Sequence, residues 1–484
     1  MKTPTVCLLI LCAACVLGQV PMKTPGIDFL SHFVDALNSK NEATIRLYLQ
    51  ANATDDVPLD QRTQRMTEFA SQYGPFRLEP KPVMTGGDLH AVLFDKNKSR
   101  LNVIVALTPG DPPKIRSIRI MPFPYDGKFA LWDGPQKLAA LLLENGKIPA
   151  MGITLISHGK LETGVAGVRV AGGKIAVGPD EPWSVGSIGK PICTTLIGRL
   201  IEKGKLRWDE TLGEALKGVP MQRGYESVTL EQIMQHRGGI PQDLDFTRDR
   251  LLAIVGSART PTAMRERYAR DILHRAPIAR PGERNAYSNA GYALLGHIAE
   301  RVTGKPYEVL VKEMVFVPLG LKNSYTGIDK LPSARPSGHV KGPTGLTPAN
   351  MSGALEYLAA PAGGGIYMST ADLARFGAAH LKGLHGQDGL LKAATVERLH
   401  KGLPEHEGDP FFLYACGWGI EANPEIETFH GHNGSNGTMR AQLAIFPKAD
   451  LVVAAVTNCG GEEEPSPSLR AVLDIAEHYG AQTR

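Results

Sequence analysis

Trp183-Ser184-Val185-Gly186-Ser187-Ile188-Gly189-Lys190, with the apolar run behind it, is the stretch on which the reading of this chain turns. Ser187 and Lys190 form a Ser-x-x-Lys pair. A hydroxyl is a poor nucleophile until something removes its proton. A lysine three residues on does so if both groups sit at the start of one helix, because positions i and i+3 share a face. The following residues support such a helix. Pro191 is tolerated in a first turn, and Ile192, Leu196, Ile197, Leu200 and Ile201 recur at helical spacing. The helix N-terminus offers free N–H groups and the positive end of the dipole, both of which favour developing negative charge. Dipole and burial together favour the neutral amine, the form a base must have. The tetrapeptide alone also fits a plainer reading, an N-cap serine with a solvated lysine.

Two further clusters decide between these. Tyr287-Ser288-Asn289 follows a turn at Arg280-Pro-Gly-Glu283 and precedes an apolar helix expected over residues 291–302. A phenol and a carboxamide two residues apart on a turn can point into one cleft. Tyr287 could relay a proton between Ser187 and a leaving group. Asn289 could donate to a substrate carbonyl and accept from Lys190. The plainer alternative is a packed aromatic and a turn residue. The third cluster is His430-Gly-His-Asn-Gly-Ser-Asn-Gly437, before strands expected at 439–446 and 451–457. Dense glycine beside a strand, Gly434 included, lets a substrate backbone approach closely. The N–H of Ser435, with that of Ser187, could form an oxyanion hole. Two histidines two apart, with no nearby cysteine or acidic cluster, make a poor metal motif.

Ser-x-x-Lys, then Tyr-x-Asn, then His432-Asn-Gly434, in that order, resembles the class C β-lactamase-related serine hydrolases. The 231–240 stretch resembles that family's "LLTHTSGL" segment, 361–371 its "PAGGLYSTA" segment, and Tyr414-Ala-Cys-Gly-Trp418 its "YGYGW" strand. The likeness runs from about Asp133 to the C-terminus. It implies an α/β (α+β) serine β-lactamase-like/transpeptidase fold: an antiparallel sheet flanked by helices beside a helical subdomain, drawn from residues 200–370, with the cleft between. It implies Ser187, Lys190 and Tyr287 as catalytic residues, with Asn289, His432, Gly434 and Ser435 binding substrate or holding the oxyanion. No cofactor and no metal are implied. The family includes esterases, D-stereospecific aminopeptidases, DD-peptidases and β-lactamases.

One departure bears on substrate. Where the family carries lysine in Lys-Thr-Gly, this chain has His432. Lysine there is a permanent cation for a substrate carboxylate, whereas histidine is mostly neutral at neutral pH. The expectation is therefore an enzyme for esters, amides or peptides lacking that carboxylate. The alternatives are a DD-peptidase or β-lactamase, and a non-catalytic ligand-binding protein that keeps the fold. Gly363-Gly-Gly365 is read as lining the acyl pocket or as a tight turn.

The N-terminal third is of another kind. Residues 1–18 read as a secretory signal, with Lys2 ahead of an apolar run too short for a bilayer span. Ala13-Ala14-Cys15 faintly suggests a lipid anchor, but Cys12 stands where such signals usually have leucine. Secretion or a periplasmic location follows. Residues 22–124 read as a small α+β domain, with an amphipathic helix carrying Phe29, Phe33 and Leu37, further helices near 42–49 and 59–73, and strands near 76–84, 89–94, 101–107 and 115–120. Helices followed by a meander are similar to the nuclear-transport-factor-2-like (NTF2-like) cone fold. No nucleophile–base pair stands out there, which points to a structural or gating role. Residues 123–127 read as a linker, and 133–484 as the hydrolase domain. The net charge of +4 on 484 residues, with no basic stripe, argues against nucleic acid as a partner. Outside the signal only Cys193, Cys416 and Cys459 remain, too few to form a disulfide framework.

Overall fold

Leu451–Thr457 (β18) is apolar at nearly every position, which a strand needs when both of its faces are covered. Leu451, Val453 and Ala455 point into one hydrophobic core. Val452, Ala454 and Val456 point into another. This period-two division places β18 inside a sheet with helices on both sides. The computed structural model describes residues 27–481 except 56–57, 79–82, 86–87, 97–99, 109–112, 123–132, 243–252, 255, 328–330, 343–344, 350–364, 405–411, 422–426 and 461–465. The signal read over 1–18, the linker over 123–127, and Gly363 and Gly364 lie outside the described residues.

The chain divides into two compact units near residue 129. In the N-terminal unit, helices α1 (Ile27–Asn38), α2 (Glu42–Asn52) and α3 (Leu59–Tyr73) precede strands β1 (Arg77–Leu78), β2 (Val83–Thr85), β3 (Asp88–Phe94), β4 (Arg100–Leu107) and β5 (Ile115–Pro122). The strands pair antiparallel in the order β1-β3-β4-β5, with β2 also on β3. Leu30, Phe33 and Leu37 of α1 close with Leu49, Leu93, Val103 and Val105 into the unit's core. The single strand expected over 76–84 is instead two short ones on β3.

The second unit holds an antiparallel sheet of eight strands in the order β13-β14-β15-β16-β17-β18-β6-β7. These are β6 (Ala150–Ser157), β7 (Lys160–Gly167), β13 (Leu403–Pro404), β14 (Phe412–Tyr414), β15 (Gly419–Glu421), β16 (Phe429–Ser435) and β17 (Arg440–Phe446), with β18. The hairpin β6/β7 from the start of the unit pairs with β18 near its end, Val453 facing Leu155. Helices α4 (Pro135–Gly146) and α10 (Pro467–Ala481) cover one face. Helix α8 (Thr370–Leu384) lies on the other. It comes close enough that a Cβ on Gly152 would meet Thr370 Cγ2 at 3.0 Å. The Thr154 hydroxyl donates to Thr370 Oγ1 at 2.8 Å.

Behind α8 lie α5 (Gly189–Glu202), α6 (Pro261–His274), α7 (Asn289–Thr303) and the short α9 (Ala393–Leu399). They share the second core through Ile192, Leu196, Leu273, Leu294 and Ile298. In a small sheet, β12 (Ile366–Met368) lies between β8 (Trp183–Ser184), which leads the chain toward Ser187, and β9 (Ser324–Thr326), while β10 (His339–Gly342) and β11 (Gly345–Pro348) form a hairpin of their own. The helical residues expected between 200 and 370 thus form a subdomain beside the sheet. Tyr414-Ala-Cys-Gly-Trp418 corrects an expectation: only Tyr414 is strand, the last residue of β14, and 415–418 is the turn into β15. Gly417 has φ +81°, and a Cβ there would stand 3.0 Å from the Lys190 carbonyl carbon. Close packing on α5 turns the backbone, and only glycine fits.

Candidate active site

Between Glu181 and Gly198 every residue is buried except Ser187, which is half-buried. It lies in a 3-10 turn, Gly186–Ile188, that runs straight into α5, whose first turn carries Lys190. The expected shared helix start is therefore a 3-10 turn followed by α-helix, and the two side chains still meet. Lys190 Nζ donates to Ser187 Oγ at 3.1 Å. It also donates to Asn289 Oδ1 at 2.5 Å. Lys190 is fully buried, and its ammonium stands 4.5 Å from the ring centroid of Tyr287 and 5.5 Å from that of Tyr292. Aromatic faces stabilise a cation withdrawn from water.

Tyr287 donates its hydroxyl to Ser187 Oγ at 2.8 Å. It sits just ahead of α7, whose N-cap is Ser288, with Ser288 Oγ accepting from Gly291 N–H at 3.0 Å. Asn289 is the first residue of that helix, so the helix starts two residues before the expected position. The cap orients both flanking side chains toward α5.

Gly186 and Gly434 bring the third cluster against this turn. Gly186 has φ +49°, and a Cβ there would stand 2.4 Å from Ser435 N. A Cβ on Gly434 would stand 1.9 Å from the Val185 oxygen and 2.9 Å from Ser187 N. Backbone touches backbone where β16 passes the Ser187 turn, with Ser435 N against Gly186 and Ser187 N against Gly434. Ser435 is exposed, and its Oγ accepts from Gly437 N–H at 3.0 Å.

His432 differs from the expectation of an imidazole with an ordinary pKa near 6.5 on the cleft edge. It is only 8% exposed, and both ring nitrogens are engaged. Nδ1 must donate to the Asn433 carbonyl, at 2.5 Å, so Nε2 is the acceptor for the Tyr414 hydroxyl at 3.1 Å. Burial, with the Lys190 charge behind it, pushes the imidazole down to about 3. It is neutral at any working pH.

His236 stands in the 231–240 stretch, whose sequence carries a family likeness and no chemistry of its own. It packs on Tyr287, Tyr414 and Tyr292, with ring centroids at 4.4, 4.7 and 5.2 Å. Burial, Lys190 and His432 drive its pKa well below the ordinary value. Its signal in the sequence was a lone histidine ahead of Gly238-Gly239.

A second histidine set lies deeper. Thr195 Oγ1 donates to the Pro191 carbonyl at 2.8 Å and meets His380 Nε2 at 2.9 Å. Its one proton is committed, so His380 donates from Nε2. His380 Nδ1 then accepts from His400 Nε2 at 3.0 Å, and His400 Nδ1 from His430 Nδ1 at 3.1 Å. The chain of imidazoles ends on α5 at Thr195, whose hydroxyl donates to the carbonyl of Pro191, the residue after Lys190.

An antiparallel sheet with helices on both faces, and a Ser–Lys pair opening the helix beside it, is the transpeptidase-type fold of serine hydrolases. The chain belongs to the β-lactamase family, whose profile, described as Beta-lactamase, matches residues 136–477. Penicillin-binding protein 4 of Amycolatopsis lactamdurans is 28% identical over 349 residues, 70% of this chain and 87% of that protein. The chain spans less than half the length of two further curated relatives. Among solved structures, the octameric penicillin-binding protein homologue from Pyrococcus abyssi is 25% identical with a TM-score of 0.59, over 70% of this chain and 76% of that one. The D-amino acid amidase from Ochrobactrum anthropi SV3 shares the fold at 18% identity and a TM-score of 0.60, over 72% and 98%.

Proposed function

We propose that the protein cleaves neutral esters or amides by acyl transfer through Ser187. The observation that carries this is the pair of donors on Ser187 Oγ, Lys190 at 3.1 Å and Tyr287 at 2.8 Å, at the one open position of a buried run. In this reading the Lys190–Tyr287 pair is one proton short, as neutral amine or as phenolate, and as Ser187 Oγ bonds the acyl carbon its proton passes to that pair. The carbonyl electron pair moves onto oxygen, which the Ser187 and Ser435 N–H groups hold. Collapse expels the leaving group, which takes up that proton. Water then gives a proton to the same pair as its oxygen bonds the acyl carbon, and Ser187 leaves and is reprotonated. Asn289 keeps the Lys190 amine aimed at Ser187.

A fluorophosphonate should add once to the native protein, on the peptide containing Ser187. Labelling that persists in Ser187→Ala would remove the assignment.

His432 supports the substrate class. With both nitrogens engaged and its charge suppressed, it offers no cation to a carboxylate. A short-chain ester should therefore exceed benzylpenicillin in kcat/KM by about ten-fold or more, the worth of roughly 1.4 kcal/mol. The ratio should hold flat from pH 5 to 8. Penicillin turnover matching the ester would favour the second reading, a DD-peptidase or β-lactamase, which the likeness to penicillin-binding protein 4 supports.

Export rests on the signal read over residues 1–18. Among the described residues no helix is long and apolar enough to cross a membrane. The N-terminal unit, read as an NTF2-like cone, takes a structural or gating part.

A further inference from the structure

Tyr287 has to stand within hydrogen-bonding distance of Ser187 Oγ, and α7 fixes only its C-terminal side. Two backbone N–H groups flank it, those of Ala286 and Ser288. Both go to one residue. Ala286 N–H donates to the His236 carbonyl at 2.8 Å. Ser288 N–H donates to His236 Nδ1 at 3.1 Å. An imidazole nitrogen thus takes the place of a second carbonyl, and His236 straddles Tyr287 as a paired strand would. The brace continues on either side. Asn285 Nδ2 donates to the Gln235 carbonyl at 3.2 Å, and Gly282 N–H to the Arg237 carbonyl at 2.8 Å.

Two features set His236 apart from a core histidine chosen for its bulk. Its φ is +58°, a conformation that asparagine or glycine adopts more readily. Because Nδ1 accepts from Ser288, the ring proton is on Nε2, which is buried with no hydrogen-bond partner among the described residues. An unpaired buried donor is a cost, and the backbone strains to place Nδ1. Both are tolerated where the Nδ1 lone pair is needed.

We propose that His236 is a positioning residue for Tyr287. Its carbonyl and its Nδ1 lone pair take the N–H groups on either side of Tyr287 and hold the phenol against Ser187 Oγ. This rests on the acyl-transfer reading of Ser187 and Tyr287. The ring stacked at 4.4 Å from Tyr287 completes the hold by limiting the tilt of the phenol. A displacement of about 1 Å at a reacting group costs on the order of 10²-fold in rate, so the acceptor at Nδ1 should be visible in turnover.

The test is a series of three substitutions in the full chain. His236→Asn places Oδ1 where Nδ1 stands. His236→Gln fills the pocket but carries its amide one bond further out. His236→Gly relieves the backbone at φ +58° and has no acceptor. For a short-chain neutral ester we expect Asn to recover kcat to within about five-fold of wild type. We expect Gln and Gly to lose about 10²-fold in kcat, with KM changed less than three-fold. Fluorophosphonate acylation of Ser187 should slow in the same order. Gln or Gly matching Asn would overturn the proposal, because bulk or backbone freedom would then suffice. Losses that follow the melting temperatures rather than the acceptor position would overturn it too. If Gly does not fold, the Asn and Gln pair decides alone, since both fill the pocket. Turnover surviving in Ser187→Ala would instead remove the acyl-transfer reading, whatever the His236 series gives.

Discussion

Lys190→Met should lower kcat/KM for a neutral ester by about 10⁴-fold while the protein still folds. General acid–base groups contribute about 10²–10⁴-fold each, and groups that work as a unit with a nucleophile cost more when removed. Lys190 touches both Ser187 Oγ and Asn289 Oδ1, so under the proposed mechanism its loss takes the proton acceptor and frees the carboxamide in one step. The stem lies fully buried between Tyr287 and Tyr292, a slot that methionine fills without a charge. Removing a buried cation spares its desolvation cost, so the melting temperature should hold or rise. Lys190→Arg separates charge from proton transfer. Guanidinium keeps the cation but does not give up its proton at working pH. Arg should therefore be as inactive as Met. Activity restored by Arg, or a Met variant within ten-fold of wild type, would move the general base away from Lys190.

The parts of the fold legible in the sequence were those set by local pattern. The helix after Lys190 follows from Ile192, Leu196 and Leu200, and α3 from a face of Met66, Phe69 and Tyr73. The strand β18 was legible as a strand, but its partner was not. Its pairing with β6 joins residues some three hundred apart, and nothing near Val453 encodes Leu155. Two-sided burial also removes the alternation that would mark an inward face. The turn over 415–418 resembles a strand in sequence for a related reason. Its aromatics suit a strand, while the approach of Gly417 to the Lys190 carbonyl is a tertiary fact.

The candidate site divides the same way. Ser187 with Lys190, and Tyr287 with Asn289, were legible because each pair is close in the chain. Their meeting across about a hundred residues came from the family's order of motifs, not from either pair. His432 was seen, but its state was not. Tyr414 claims Nε2 and Asn433 claims Nδ1, so a residue read as a titrating edge of the cleft is a neutral member of a buried network. His236 was passed over because its two polar contacts are to backbone N–H groups fifty residues away, which leave no trace in side-chain pattern. The imidazole chain of His380, His400 and His430 is drawn from α8, the end of α9, and β16.

Between pH 7 and pH 5 the hydrolase unit should lose several kcal/mol of stability, with its melting temperature falling by about 10 °C or more. Burial is the leading cause for each histidine concerned. It lowers His380 and His432 to about 3 and His297 and His430 to about 4, and it holds His236 and His400 well below the ordinary value. The unfolded chain, with imidazoles near 6.5, then binds more protons than the folded one in the interval between. The stabilisation is complete above about pH 6.5 and is lost as pH falls toward the folded values. At pH 5 each histidine kept neutral contributes about 2 kcal/mol of this loss. Three of them already match the roughly 5 kcal/mol at the lower end of domain stability. The window matters, because aspartate and glutamate, near 4, are still ionised at pH 5. Calorimetry across pH 5–8, with the imidazole C2–H signals followed by NMR, measures both sides of the linkage. His430→Gln, at the outer end of the imidazole chain, should flatten the slope below pH 6 by about one proton, or about 1.4 kcal/mol per pH unit. A melting temperature level from pH 7 to pH 5 would mean that these imidazoles titrate in the folded protein, and that the chain from His430 to Thr195 is open to water.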